Sequence, residues 1–272
     1  SSPYSLLTIF STVAWGLGYF GMPHILLRFM AIGEEKKLVL SRRIATVWVV
    51  ISMFVAILIG IIGYGASVAG VLPMFETSSE SETIIIRLAG LLAEKNFLLA
   101  LVAGVVLAGI LACTMSTADS QLLTAASSVS QNLLQDFLKI KMSPKQSMLA
   151  ARLTVVGISL VAVVLAWNPD SSVFYIVSFA WAGFGAAFGP VVLFSLFWRR
   201  TNFQGALAGM LTGGVMVFVW KYLVKPMGGV WGIYELLPAF ILGCIAIVVV
   251  SLATVAPSEE ILKEFDSVNR EV

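Results

Sequence analysis

Residues 97–123 read FLLALVAGVVLAGILACTMSTADSQLL. The stretch is apolar and long enough to cross a bilayer, which takes about 20 helical residues. Its second half nevertheless carries Thr114, Ser116, Thr117, Asp119 and Ser120. Lipid supplies no hydrogen-bond partner, so polar groups gathered on such a helix face protein or a wet cavity and mark function. The adjacent hydroxyls of Ser116 and Thr117 are oxygen ligands of the kind hard cations take, and by extension sodium. A second reading stands beside it: membrane serines and threonines also bond back to carbonyls one turn earlier. The stretch therefore predicts an all-α membrane protein with a candidate cation site, the pattern of an ion-coupled transporter.

The rest of the chain agrees with a bilayer setting. Of its 272 residues, 59% are hydrophobic and 12% charged, with a mean hydropathy of +0.96. A soluble domain is about half apolar and about a quarter charged. The net charge of +2 gives no footprint for nucleic acid. One histidine and two cysteines, Cys113 and Cys244, build neither a metal cluster nor a disulfide framework. With no nucleophile–base pair or metal set in view, an enzyme is not expected. The chain opens Ser1-Ser2-Pro3, without initiator methionine or signal-peptide pattern, and is expected to begin in a loop of a longer protein.

Seven apolar stretches are long enough to span: 4–27, 44–72, 97–123, 148–167, 173–198, 203–223 and 236–255. The first loop carries Arg28, Lys36, Lys37, Arg42 and Arg43 against Glu34 and Glu35; the third carries Lys139, Lys141, Lys145 and Arg152 against Asp136; the fifth has Arg199 and Arg200. The second is acidic, with Glu76, Glu80, Glu82 and Glu94, and the fourth has only Asp170. Basic loops mark the cytoplasmic side. The N-terminus is thus expected outside, and residues 257–272 form a cytoplasmic tail. The sixth loop, with Lys221, Lys225 and Glu235, is external yet mildly basic. Residues 1–272 read as a single transmembrane domain.

Three local readings follow. Ser81 is expected to cap an external amphipathic helix marked by Ile84, Ile85, Leu88, Leu91 and Leu92. The third span is expected to run on into the cytoplasm until Pro144 stops it. Ser258, followed by Glu259 and Glu260, is expected to start a tail helix.

The first span contains Trp15-Gly-Leu-Gly-Tyr-Phe-Gly-Met-Pro-His24. Three glycines and a proline weaken a helix at the depth where transporters break theirs to expose backbone groups. Trp15, Tyr19 and Pro23 are four apart and share a face if the segment stays helical. Such an aromatic wall with a hydroxyl suits a small amphipathic solute; the alternative is an interfacial belt with glycine-mediated packing. The run from Gly183 to Pro190 lies inside a span and is expected to serve close helix approach or a hinge, not phosphate binding.

Taken together, the Trp15–His24 run, Met115-Ser116-Thr117 with Gln121-Leu122, and Ala182-Gly-Phe-Gly-Ala-Ala-Phe-Gly-Pro190 resemble the solute:sodium symporter family, nearest its proline-transporting branch. The resemblance covers essentially the whole chain. It implies a LeuT-type fold, of which this chain holds the second inverted repeat plus two peripheral helices, while a missing N-terminal half completes the sites. It further implies sodium as coupling ion, held by the Ser116 and Thr117 hydroxyls with the Cys113 carbonyl. It implies proline as the solute, packed against Trp15, Tyr19 and Pro23, in a multi-pass protein of the plasma or inner membrane. A symporter for a sugar or pantothenate, or a transporter-like membrane sensor, are the other readings; the 17 residues after Val255 are too few for a signalling domain.

Overall fold

The structure, a computed structural model, describes residues 4–34, 36–167 and 172–269. Ser1–Pro3, Glu35, the loop residue Asp170 and the end of the tail, residues 270–272, lie outside the described residues.

Helix α1 (Leu6–Val13) starts on Ser5, whose hydroxyl accepts the Thr8 amide at 3.2 Å. It passes into a 3-10 segment, Ala14–Gly21. At Met22 the backbone turns extended (φ −82°, ψ 113°), and α2 (Pro23–Met30) leaves at 50°. The cause is local. Gly16, Gly18 and Gly21 lower helix propensity, and the residue before a proline is pushed out of the helical region. Pro23 then sits at the first helical position, where its missing N–H costs nothing.

There follow α3 (Lys36–Val68), the short α4 (Ser78–Ser81), α5 (Ile84–Ala93) and α6 (Phe97–Ser127), which continues as a π-helical stretch over Ser128–Phe137. Then come α7 (Pro144–Leu165), α8 (Val173–Phe197), α9 (Phe203–Val219) with a π-helical turn at Trp220–Val224, α10 (Leu236–Ala253) and α11 (Glu259–Asn269). No strand occurs among the described residues. Among the described residues, six helices are long and apolar enough to cross a membrane, or seven with the bent Leu6–Met30 pair as one span. These fall on the seven stretches expected from hydropathy.

Two local expectations are corrected. Ser81 caps nothing: its hydroxyl donates to the Thr77 carbonyl at 3.0 Å. Thr77 is the cap of α4, accepting the Glu80 amide, and α5 begins at Thr83 without a side-chain cap. Pro144 likewise does not stop α6. That helix has already ended at Leu138, before Lys139 with φ +56°. Pro144 instead opens α7, behind a capping box in which Ser143 accepts the Gln146 amide and the Gln146 side chain accepts the Ser143 amide. A proline with a serine before it and a glutamine two residues after it is a start signal, because its fixed φ is pre-set for the first turn. The tail helix α11 does start on Ser258, whose hydroxyl accepts the Ile261 amide at 3.5 Å.

The chain divides into two compact units, one of Ser1–Met30 with Ile176–Val272 and one of Ala31–Tyr175. In the second, α5 packs on α3 and α6, with Ile84 lying over Gly63. Gln135 donates to Ser147 and to the Ser130 carbonyl, both at 3.0 Å, pinning the π-helical stretch to α7. In the first, α9 packs on α10 along Gly205 and Gly209, with Ser251 and Ile247 filling the space that side chains there would occupy, and Gly213 lies against the α8 backbone at Ala186. Asn202 closes one end: its side chain accepts the Gly205 amide at 2.8 Å and donates to the Thr254 hydroxyl and the Val255 carbonyl, both at 2.7 Å.

Candidate solute and ion sites

The proposed ion ligands lie on α6, in the unit of residues 31–175. Cys113, Ser116 and Thr117 are all exposed. The Thr117 hydroxyl donates to the Cys113 carbonyl at 3.1 Å, so two oxygens sit side by side on one face. Ser120 donates to Ser116, Thr124 to Ser120 and Thr114 to Ile110, each to a carbonyl one turn earlier. The hydroxyls of Thr114, Thr117, Ser120 and Thr124 thus form a ladder that satisfies their protons internally. Their lone pairs stay available, which is what a cation needs. From α6 alone the set is open on one side, and a cation would take its remaining oxygens from elsewhere.

The proposed solute residues lie in the other unit, and their geometry differs from the expectation. Ala14–Gly21 is a 3-10 helix, with about three residues per turn, so residues four apart diverge by about 120° and do not share a face. Trp15 and Tyr19 are brought together by a third ring. Trp181 of α8 stacks on Trp15 (centroids 5.5 Å, planes at 17°) and meets Tyr19 edge-on at 4.8 Å. Its indole N–H donates to the Trp15 carbonyl at 2.9 Å, satisfying a backbone group at the helix distortion that lipid would leave unpaired. Tyr234 also stacks on Trp15, at 6.1 Å and 18°. Trp15 is half-buried, while Tyr19 is 51% exposed. Pro23, past the break, is half-buried and begins α2.

Trp181 and Tyr234 were not singled out by sequence reasoning. Trp181 precedes the Gly183–Pro190 run, and that neighbourhood was the available signal. Tyr234 has none, since stacking across more than two hundred residues is a tertiary fact. The close approach expected of the glycine run is present. A Cβ built on Gly185 would lie 2.6 Å from the Gly18 Cα, and one on Gly21 would lie 2.9 Å from the Gly185 Cα. Two glycine-rich runs therefore pack backbone on backbone, the way membrane helices gain contact without a hydrophobic drive.

Two charged features flank these elements, one in each unit. Near the start of α10, Glu235 is 2% exposed and pairs with Lys225 at 2.7 Å; Lys221 lies 3.6 Å over the Phe179 ring. In the other unit, Glu82 accepts the Ser172 hydroxyl at 2.6 Å and the amides of Val173 and Phe174 at 3.0 and 3.1 Å. It thereby caps the N-terminus of α8 from a distant turn. The Ser172 hydroxyl first, then the Phe174 and Val173 amides, hold its carboxyl below the usual carboxylate range, against a smaller opposing effect of desolvation.

Among the described residues, six or seven apolar spans, one of them broken in mid-course and packed through glycines against another, define a multi-pass membrane protein. Residues 4–213 match the Sodium:solute symporter family, and the chain belongs to that family. It is 41% identical to the sodium/proline symporter of Haemophilus influenzae over 97% of its own length and 51% of that protein. It is likewise 41% identical to the sodium/proline symporter of Escherichia coli, over 96% of the chain and 50% of the relative. The osmoregulated proline transporter of Bacillus subtilis is 41% identical over 94% and 50%. The chain thus spans about half the length of the curated relatives it matches. No solved structure is a significant match.

Proposed function

We propose that this chain is the C-terminal part of a sodium-coupled symporter that carries proline into the cell. The observation that carries the reading is the 41% identity to sodium/proline symporters along nearly the whole chain. The reading treats residues 1–272 as one transmembrane domain, the second inverted repeat of its fold plus two peripheral helices, completed by an N-terminal half. Proline packs against Trp15, Tyr19 and Pro23. Sodium is held by the Cys113 carbonyl and the Ser116 and Thr117 hydroxyls, joined by oxygens from the rest of the transporter. The two ligands help each other because both favour the same conformations, and linkage makes that help mutual.

The same reading orients the chain in the plasma or inner membrane, N-terminus outside and residues 257–272 in the cytoplasm. The mildly basic sixth loop is compatible with an external position: Lys225 is paired with Glu235 and Lys221 with an aromatic ring, so little unpaired positive charge remains there. Cysteines introduced as Ser79→Cys and Lys141→Cys should label from opposite faces of intact cells, Ser79→Cys from outside. Labelling of both from one face would overturn the orientation.

The ion site is tested in the full-length transporter by Thr117→Ala. Removing the hydroxyl should weaken sodium by the roughly 1–3 kcal/mol of an unmet polar partner, or about 5- to 150-fold. Proline affinity at subsaturating sodium should fall with it and be restored by excess sodium. Thr117→Ser, which keeps the oxygen, should be mild. A lower maximal rate with unchanged sodium dependence would make Thr117 a packing group and remove the assignment.

A further inference from the structure

We propose that Tyr234, at the start of α10, is a positioning residue for the solute site, setting the ring of Trp15 without touching the solute. The proposal rests on the solute reading of Trp15 and Tyr19 given above. Tyr234 is buried and held at three points. Its amide donates to the Ser11 hydroxyl at 3.0 Å, reaching α1. Its own hydroxyl donates to the Ser178 carbonyl of α8 at 2.5 Å. Its ring stacks on Trp15. The next residue, Glu235, is fixed by its pair with Lys225, so the turn that carries the tyrosine is anchored as well.

α10 has packing contacts apart from these bonds. That helix packs on α9 through Gly209 and Ile247 and reaches α8 through Phe240 at Gly189. The tyrosine joins α1 and α8 through Ser11 and Ser178, and between those two tethers its ring lies on Trp15 in the distorted part of the first span. Trp15 sits in a 3-10 segment, and a Cβ on neighbouring Gly16 would meet nothing within 4 Å. Trp181 of α8 and Tyr234, just ahead of α10, both stack on the Trp15 ring. A ring fixed before the solute arrives loses less freedom on binding, so support of this kind appears as affinity.

The test uses the full-length transporter in proteoliposomes, with radiolabelled proline and equilibrium binding as the readout. Tyr234→Leu should raise the Kd for proline roughly two- to tenfold, the range of an aromatic stack, with the number of sites per protein unchanged. Trp15→Leu should also raise it. In the double variant the two effects should not multiply, because the support then acts on a ring already gone. Tyr234→Phe keeps the stack and loses the tether to Ser178, so its rise should be smaller than that of Tyr234→Leu. Multiplying effects, or an unchanged Kd in Tyr234→Leu, overturn the proposal. If Tyr234→Leu does not reach the membrane, an unchanged Kd in Tyr234→Phe overturns it. Failure of Trp15→Leu and Tyr19→Leu to alter Kd would remove the solute site itself, and the positioning role with it. A rise in both, with none at Tyr234, would remove the positioning role alone.

Discussion

In the unit of residues 31–175, α7 buries none of its residues, α3 only Gly63 and Ser67, and α6 only Ala103 and Ala126. In the other unit, α8 alone buries Ser178, Trp181, Ala182, Gly185, Ala186, Gly189 and Pro190. α3, α6 and α7 are more apolar than α8 and still bury less, so apolarity alone does not bury a helix here. Small residues at matching heights do. Lipid tails are as apolar as leucine, and helices associate in a bilayer only where backbones approach closely or polar groups pair. The first span, α8, α9 and α10 carry glycines and alanines where they meet. The long helices of the other unit present leucine, valine and isoleucine outward. That unit also carries the hydroxyl ladder of α6 on an exposed face, as expected of a surface that other protein covers. The relatives are about twice as long, which leaves room for that cover.

The difference can be broken at its strongest point. Gly185→Val places two methyls where the Gly18 backbone lies, and overpacking of that kind should cost about 3 kcal/mol or more. Thermal unfolding of the full-length transporter in detergent should shift down accordingly; an unshifted transition would mean the backbones do not meet as described. A smaller effect is expected in the other unit from Glu82→Gln. A carboxyl held below its ordinary range stabilises its cap above the unfolded-state pKa and loses that contribution as pH falls through the folded-state value. The protection factors of the Val173 and Phe174 amides, their exchange relative to the intrinsic rate at each pH, should therefore fall on acidification in the parent protein. In Glu82→Gln protection should be low throughout, with that pH dependence removed. Identical exchange in the two proteins would show that the carboxylate does not cap α8. The smallest effect belongs to Gly157→Val on α7, where a Cβ meets open space, and below about 0.5 kcal/mol is expected. A loss as large as that of Gly185→Val would place further protein against α7.

What the amino-acid sequence revealed depended on the range of the interaction. The spans were legible because crossing a bilayer needs a long apolar run, and nothing else in the chain looks like one. The break in the first span was legible because glycine and proline act on their own backbone. Its form was not. Choosing 3-10 over α geometry between Ala14 and Gly21 depends on α8 lying against it, and with the form went the expected shared face of Trp15, Tyr19 and Pro23. The caps show the same limit at shorter range: Thr77 and Ser81 both offer hydroxyls, and the choice between them rests on turns that composition does not record. Trp181 and Tyr234 lay furthest from reach, because a ring finds its stacking partner only after the helices have packed.

The 3-10 segment also serves as a ruler. Its eight residues extend about 16 Å and turn through about 960°, against about 12 Å and about 800° for the same residues as an α-helix. The depth of the break at Met22 and the compass bearing on which α2 departs are therefore fixed together by the residue count from Ala14 to Gly21. Deleting Gly16, whose side is open, would touch no neighbour, yet it would draw the break up by about 2 Å and swing everything beyond it by about 120°. The number of residues in this stretch is as much a part of the site as their identity.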